Sequence, residues 1–441
     1  MARRLFGTDG IRGVAGELLT ADLAVKLGRA ATLQSGADTP RVLVIRDTRE
    51  SGEMLEAALA AGVASAGGAV FLGGVLPTPA APLLLGRYGF DLGAVISASH
   101  NPYRDNGIKF FGADGFKLSD ATEEAIEDLL DDRVGGAPIA IGRIRLLHGT
   151  EEDYLRELHT RFADLDLGGV DVLLDCANGA TYAAAPEIFR RLGAEVTAVA
   201  DTPDGRNINE GCGSTHVDAL ARQVVDGGHD VGFAFDGDGD RVLAVDRNGV
   251  VVDGDELIAL AALHLRETGR LAGGGVAVTV MTNYGFHAAM KEHGVEVATT
   301  QVGDRYVIEE LRARGWSLGG EQSGHIIDTG FVPSGDGIAS ALLALESLHG
   351  GDLAERSAMR KLPQRLVNVR VADRDAAMGS DELAQAVAAE SESLEGRGRV
   401  LVRPSGTEQL VRVMVEAPQD DEADAVCARL VAVVERSASL A

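Results

Sequence analysis

Short apolar runs of strand length alternate with stretches of helical periodicity through most of this chain. That alternation leaves few folds open. Val42–Ile45 precedes an Ala-rich helical stretch at Glu53–Ala66, and apolar runs follow at Ala69–Leu72 and Gly93–Ile96. A second series opens at Val170–Leu174. It continues with a helix around Ala184–Leu192, a strand at Glu195–Val199, a helix at Val217–Val225 and a strand at Val231–Phe235. A third places helices at Glu256–Arg266, Phe286–Glu292 and Tyr306–Arg314 around strands at Val276–Val280 and Val295–Thr299. Short, near-continuous apolar strands between helices imply mainly parallel sheets covered on both faces. No fixed-period repeat occurs, so the three parts share an architecture without forming a solenoid. The last part differs, with strands at Arg365–Val371, Val400–Val402 and Leu410–Val415 and helices at Glu382–Glu390 and Glu422–Arg436. It reads as a smaller α+β domain. The expected segments are 1–150, 151–252, 253–364 and 365–441.

Charge and composition narrow the partners. Lys and Arg total 41 against 67 Asp and Glu, a net charge of −26, which argues against nucleic acid because a polyanion is repelled. Phosphorylated small molecules stay open, since a local basic pocket holds them inside an acidic protein. A hydrophobic fraction of 45% supports a sizeable core and excludes a disordered chain. Cys176, Cys212 and Cys427 offer neither a disulfide framework nor zinc spacing. The opening Met-Ala-Arg-Arg-Leu-Phe-Gly lacks the apolar stretch of a signal peptide, and no apolar run reaches the ~18 residues of a membrane span. The expected compartment is the cytoplasm, with no membrane partner.

Several loops could carry chemistry. Asp236-Gly237-Asp238-Gly239-Asp240-Arg241 follows the apolar strand Val231–Phe235. Glycines let the backbone curl so that three carboxylates converge on one hard cation, Mg²⁺ or Ca²⁺ rather than zinc. An EF-hand is excluded, because Arg241 and Arg247 stand where its Gly and Glu belong. The bland alternative is a solvated acidic turn, but unneutralised carboxylates repel, and strand C-terminal ends are where α/β sheets bind ligands. Ser97-Ala98-Ser99-His100-Asn101-Pro102 also ends an apolar strand. Its hydroxyl beside an imidazole could be a nucleophile or phosphate carrier, or the segment could be only a turn. Lys109 lies close by as a cation for a phosphorylated serine, or as a solvated surface lysine. Glu321, Gln322, Ser323 and His325 on a Gly-flanked loop can hydrogen-bond sugar hydroxyls, or form a polar surface loop. Arg403, Ser405, Gly406 and Thr407 form either an anion nest or a hairpin turn. Phe6–Gly13, with Arg12, is a structural entry loop or a second phosphate contact. No Walker A loop, dinucleotide fingerprint or His-Glu-x-x-His is present.

Taken together and in this order, these segments resemble the α-D-phosphohexomutase superfamily over the whole chain. The carriers are Phe6–Gly13 (FGTDGIRG), Ser97–Pro102 (SASHNP), Asp236–Arg241 (DGDGDR), Gly320–His325 (GEQSGH) and Arg403–Glu408 (RPSGTE), with Asp175–Tyr182 and Asn207–Gly213 in support. Gln322, SASHNP and the opening favour the glucosamine branch over glucose and mannose relatives. The resemblance implies an α/β fold of three similar mixed-sheet domains plus a smaller C-terminal α+β domain around a central active-site cleft. It implies that Ser99 carries a phosphoryl group, and that Asp236, Asp238, Asp240 and phospho-Ser99 bind Mg²⁺. Arg12, His100 and Lys109 would surround that phosphate, with His100 or Lys109 moving a proton and Arg241 near the metal. Glu321, Ser323 and His325 would grip the sugar, and Arg403, Ser405, Gly406 and Thr407 the phosphate that is not reacting. The implied partner is a phosphosugar, with a sugar 1,6-bisphosphate as intermediate; a homodimer stays open. Two positions depart from the family pattern, Gln409 and Ile45, and neither is an expected ligand.

Overall fold

The computed structural model describes residues 5–7, 9–130, 140–405 and 408–439. Thr8, Gly406 and Thr407, each part of a segment discussed above, lie outside the described residues. The chain divides into two compact units, Met1–Val280 with Ala298–Arg356, and Met281–Val297 with Ser357–Ala441.

The larger unit contains three sheets. The first has the order β1-β5-β4-β2-β3-β6, with β1 Ile11–Val14, β2 Arg41–Arg46, β3 Ala69–Val75, β4 Leu92–Ile96, β5 Asp105–Gly112 and β6 Ile144–Leu146. The second is β11-β10-β9-β7-β8, with β7 Asp171–Asp175, β8 Glu195–Val199, β9 Val231–Phe235, β10 Val242–Asp246 and β11 Val251–Val252. The third is β13-β12-β14-β15, with β12 Gly275–Thr279, β13 Glu296–Thr300, β14 Leu318–Gly320 and β15 Ile326–Asp328. The strand centres read as apolar runs are parallel, as β2 with β3 and β4 and β7 with β8 and β9.

The sheets are mixed rather than nearly all parallel. In each, one parallel strand turns straight back into an antiparallel neighbour: β4 into β5, β9 into β10, and β14 into β15. Those returning strands escape a reading by apolar pattern. Asp105–Gly112 opens on polar residues, and Val242–Asp246 follows the aspartate run with only Arg241 between. Each turn-back leaves its loop at the C-terminal end of the parallel strand. The three loops are those of Ser99, the aspartates and Glu321.

Helices cover the sheets and start where the chemistry of capping places them. Thr20 caps the helix Ala21–Gln34 and Asp253 caps Gly254–Glu267, each side chain accepting a backbone N–H of the first turn. The first sheet buries Ile11, Val42, Val44, Ile96 and Phe110 against Leu27, Leu55 and Leu59 of its helices.

The smaller unit holds an antiparallel sheet β16-β18-β17, with β16 Gln364–Arg370, β17 Arg399–Pro404 and β18 Leu410–Glu416. Its core is Val411, Val413, Val415, Val426 and Leu430. Helix Tyr284–Glu292, expected within the third segment, groups with this unit. Buried Glu416 explains part of that: its carboxylate accepts the Tyr284 N–H at 2.8 Å and the Arg399 guanidinium at 2.7 Å. No helix among the described residues is long and apolar enough to cross a membrane.

Candidate active site

Ser99 sits at the turn between β4 and β5, 1% exposed, with a left-handed backbone φ of +51°. Its hydroxyl donates to Asp236 Oδ2 at 2.5 Å and lies 3.2 Å from His100 Nδ1. Arg241 Nη1 is 3.3 Å from the same imidazole nitrogen. A guanidinium can only donate, so Nδ1 is the accepting nitrogen and faces the serine. Burial, then Arg241 and Arg12, push the His100 pKa below its ordinary value. The ring is therefore neutral and basic at Nδ1.

Four groups hold the serine loop; Ser97 and Asn209 lie within segments that carried the family resemblance, and none of the four was an expected site residue. Arg49, fully buried, donates to the carbonyls of Ser99 (2.8 Å), Asn101 (2.8 Å), Pro102 (2.5 Å) and Asp105 (3.0 Å). Asp47 takes the Arg49 Nε–H at 2.8 Å and the Ser97 hydroxyl at 2.6 Å, and Ser97 Oγ accepts the Ser99 N–H at 2.9 Å. Asn209, from the loop after β8, donates to Ser99 O at 2.9 Å and Asn101 O at 3.1 Å. In the sequence Asp47 and Arg49 stand just past an apolar strand, in the Arg-Asp-Thr-Arg run that follows Ile45.

Asp236, Asp238 and Asp240 are all buried, and one carboxylate oxygen from each lies within 4.8 Å of the others. Gly237 makes the approach possible, because a Cβ there would stand 2.6 Å from the Ser99 carbonyl. The three carboxylates are unequal. Burial, then Asp240 and Asp238, raise the Asp236 pKa well above the carboxylate range. Burial also opposes charge on the other two, but Lys109 outweighs it at Asp238, and His325 with Lys109 at Asp240, so both are held below that range. Lys109 Nζ lies 2.7 Å from Asp238 Oδ2 and 3.7 Å from Asp240 Oδ2. Burial would lower its pKa, yet Asp238, Asp9 and Asp240 raise it, so the ammonium stays charged. Of the two groups considered for proton movement, His100 is the one in accepting form.

The donor set fits a hard divalent cation. Asp238 Oδ1 is buried and makes no hydrogen bond, a costly state for an anionic oxygen unless a cation balances it, whereas Asp240 Oδ1 has His325 Nδ1 at 3.5 Å. Oxygen-only donors suit Mg²⁺.

Around this centre the structure gathers most of the expected groups. Arg12 pairs with Asp9, and Arg241 Nε lies 3.9 Å from Asp240 Oδ1. Lys117 joins Asp9 and, at 2.5 Å, Asp304. Glu321 accepts the Gly303 N–H at 3.0 Å, and Ser323 is exposed. His325 differs from its loop partners. It is 3% exposed, with Nδ1 at 3.5 Å from Asp240 and Nε2 at 3.7 Å from Asp304. Burial opposes its charge, but Asp240 and Asp304 raise its pKa, so it backs the aspartate loop as a cation instead of facing outward with Ser323.

In the smaller unit, Arg403 on β17 stands directly across from Arg412 on β18. Like charges so paired destabilise a sheet. Arg374 adds a third guanidinium, donating to the carbonyl of Ser405 at 2.5 Å, and Ser405 itself is buried. Neither Arg374 nor Arg412 stands out in the sequence, since register sets Arg412 across from Arg403 and packing sets Arg374 against Ser405. The pattern suits an anion.

Comparison with known proteins gives the family. Models of the phosphoglucomutase/phosphomannomutase family match in order: α/β/α domain I over residues 3–134, domain II over 152–249, domain III over 253–366 and the C-terminal domain over 366–433. The chain belongs to this family and is an isomerase of the mutase class. Phosphoglucosamine mutase of Moorella thermoacetica is 52% identical over 436 residues, covering 97% of this chain and 98% of that protein. Phosphoglucosamine mutase of Saccharopolyspora erythraea is 52% identical over 441 residues, covering 98% and 99%. A phosphoglucomutase/phosphomannomutase family protein of Burkholderia thailandensis shares the fold, with a TM-score of 0.82 at 24% identity over 98% of this chain and 97% of that one. Aspergillus fumigatus N-acetylphosphoglucosamine mutase, solved with GlcNAc-6P and magnesium, has a TM-score of 0.67 at 19% identity, over 99% and 96%.

Proposed function

We propose that this mutase interconverts glucosamine 6-phosphate and glucosamine 1-phosphate through phospho-Ser99 and a 1,6-bisphosphate. The observation that carries the reading is the Ser99 hydroxyl 2.5 Å from Asp236, inside a carboxylate triad in which Asp238 Oδ1 has no hydrogen-bond partner. In the forward step, the Ser99 Oγ–P bond breaks as a bond forms between phosphorus and the free O1 of the 6-phosphate. The hydroxyl proton passes to a base, and neutral His100 is the candidate. The bisphosphate reorients, and its other phosphoryl group returns to Ser99.

Phosphoryl transfer has a loose transition state with charge on the non-bridging oxygens, so positioning and positive charge do most of the catalysis. Arg12, Lys109 and Arg241 supply fixed charge. Asp236, Asp238 and Asp240 would hold Mg²⁺, which when bound adds charge against those oxygens. Glu321 and Ser323 read sugar hydroxyls, and His325 steadies Asp240. Arg403, with Arg412, Arg374 and the segment Ser405, Gly406 and Thr407, takes the phosphate that is not transferred. Such a nest reads charge and not sugar identity, so it accepts the 1- and 6-phosphates alike. The reading keeps the segments 1–150, 151–252, 253–364 and 365–441 as bearers of the serine, metal, sugar and phosphate loops, and places the enzyme in the cytoplasm, feeding amino-sugar and cell-wall precursor synthesis.

The test is kcat/KM for glucosamine, glucose and mannose phosphates, with phosphorylated Ser99 followed by intact mass. Preference for glucosamine phosphates and label transfer from a bisphosphate to Ser99 are expected. A mannose or glucose preference would move the enzyme to another branch of the family, and stoichiometric release of inorganic phosphate would make it a phosphatase.

A further inference from the structure

We infer that Thr78 is a positioning residue for Asp238, and that it leaves Oδ1 of that carboxylate as the oxygen offered to the cation. The inference rests on the reading of the aspartate triad as a cation site.

Thr78 lies just past β3, between Pro77 and Pro79, and is 1% exposed. It grips the aspartate loop at two points. Its backbone N–H donates to the Asp238 carbonyl at 2.8 Å, and its hydroxyl donates to Asp238 Oδ2 at 2.7 Å. Lys109 Nζ reaches the same Oδ2 at 2.7 Å. Two strong donors therefore converge on one oxygen, while Oδ1 is buried without any. The paired donors on one oxygen fix the plane of the carboxylate, so that its other oxygen stays turned toward the cation position. The loop also rests on this turn, since a Cβ at Gly239 would stand 3.1 Å from Pro77 Cβ.

A purely structural role for Thr78 would be to cap the helix Ala80–Tyr88 that follows. It does not: the cap of that helix is Pro79, without a side-chain cap bond, and the Thr78 hydroxyl goes to Asp238. The hydroxyl is instead turned away from its own helix onto a loop of a different sheet. Partners of this kind, one step removed from a metal, orient its ligands and tune their basicity.

The experiment compares Thr78→Val, which keeps the shape and the backbone contact but loses the hydroxyl donor, with Thr78→Ser, which keeps the donor. The full chain, stripped of metal by a chelator, is titrated with Mn²⁺ alone and free ion is read by electron paramagnetic resonance. Asp238→Asn serves as the marker for the site. Thr78→Val is expected to weaken Mn²⁺ binding about 10-fold or more, and Thr78→Ser to stay near wild type. In turnover assays, the metal concentration for half-maximal rate should rise more in Thr78→Val than kcat falls. Wild-type affinity in Thr78→Val overturns the inference. So does equal weakening in Val and Ser, which would point to methyl packing. Should Thr78→Val not fold, Thr78→Ala against Thr78→Ser gives the same comparison. A wild-type protein whose Mn²⁺ binding ignores Asp238→Asn overturns the cation site itself, a result distinct from the loss of Thr78 alone.

Discussion

Ser99 adopts φ +51°, a conformation that costs a non-glycine residue of order 1–3 kcal/mol and persists only when its surroundings over-determine it. Here Arg49, Asn209 and Ser97 do so, through the carbonyls of residues 99, 101, 102 and 105 and the Ser99 N–H. The strained backbone aims Oγ at Asp236. Replacing Ser99 by Ala should abolish turnover in a coupled assay, and full activity would remove the phosphoserine scheme. A gentler probe is Asn209→Asp, which loses the donor to the Ser99 carbonyl and sets a carboxylate against it. Misplacing a reacting atom by about 1 Å can cost ~100-fold in rate. Asn209→Asp should therefore lower kcat by roughly 10-fold or more while KM for the sugar phosphate moves little. A KM effect alone would show that Asn209 does not act through Ser99. The serine, its neighbouring histidine and the aspartates were legible in the sequence, because small polar residues after apolar strands mark strand ends. Arg49 was not, since nothing local tells a guanidinium turned inward onto four carbonyls from one that is solvated.

At the level of elements, one device recurs. A strand ends, a loop bearing polar groups turns, and an antiparallel strand returns; it serves Ser99, the aspartates, Glu321 and, on β17 and β18, Ser405. Such a turn exposes backbone and side-chain polar groups at one sheet end without leaving strand hydrogen bonds unmade. In the smaller unit the device sets Arg403 beside Arg412. Arg412→Ala should raise KM for both phosphosugars several-fold with little loss of kcat, and should relieve like-charge repulsion in the free protein. An unchanged KM would remove Arg412 from the anion nest.

A second element-level prediction concerns the helix Gly337–Ser347. Its cap, Asp336, is buried, accepts the Ala339 N–H at 2.9 Å and the Tyr154 hydroxyl at 3.0 Å, and burial pushes its carboxyl up to about 7. An unfolded Asp titrates near ~3.9. Between these values the folded state binds the extra proton, so this contribution is complete below about pH 4 and is lost as pH rises through about 7. Asp336→Asn should flatten the fall in unfolding free energy across that window, measured by urea denaturation at several pH values. An unaltered slope would contradict the assignment.

For the molecule as a whole, the charge balance of the larger unit matters most. Lys109, Arg12, Arg241, Lys117 and His325 face Asp238, Asp240, Asp9 and Asp304 in a continuous ionic network drawn from three sheets. A cation bound only by the folded state adds stability by mass action, about 2.7 kcal/mol at a hundredfold excess over Kd. Mg²⁺ should therefore raise Tm in a thermal-shift assay, a chelator should reverse the rise, and Asp238→Asn should abolish it. A Tm that ignores Mg²⁺ in the wild type would argue that the triad is satisfied by its lysine and histidine alone.

Local pattern determined much of this protein. Apolar runs of strand length, helical periodicity, capping residues and glycine-rich turns act over a few neighbours, so the α/β alternation, the smaller final part and the candidate loops were all readable along the chain. Tertiary structure decided the rest. Which oxygens of Asp238 are occupied, which nitrogen of His100 is basic, why His325 faces inward and why Arg374 meets Ser405 depend on groups far apart in sequence. Burial and the Coulomb field there come from the packing of separate sheets, and no stretch of sequence contains that distance.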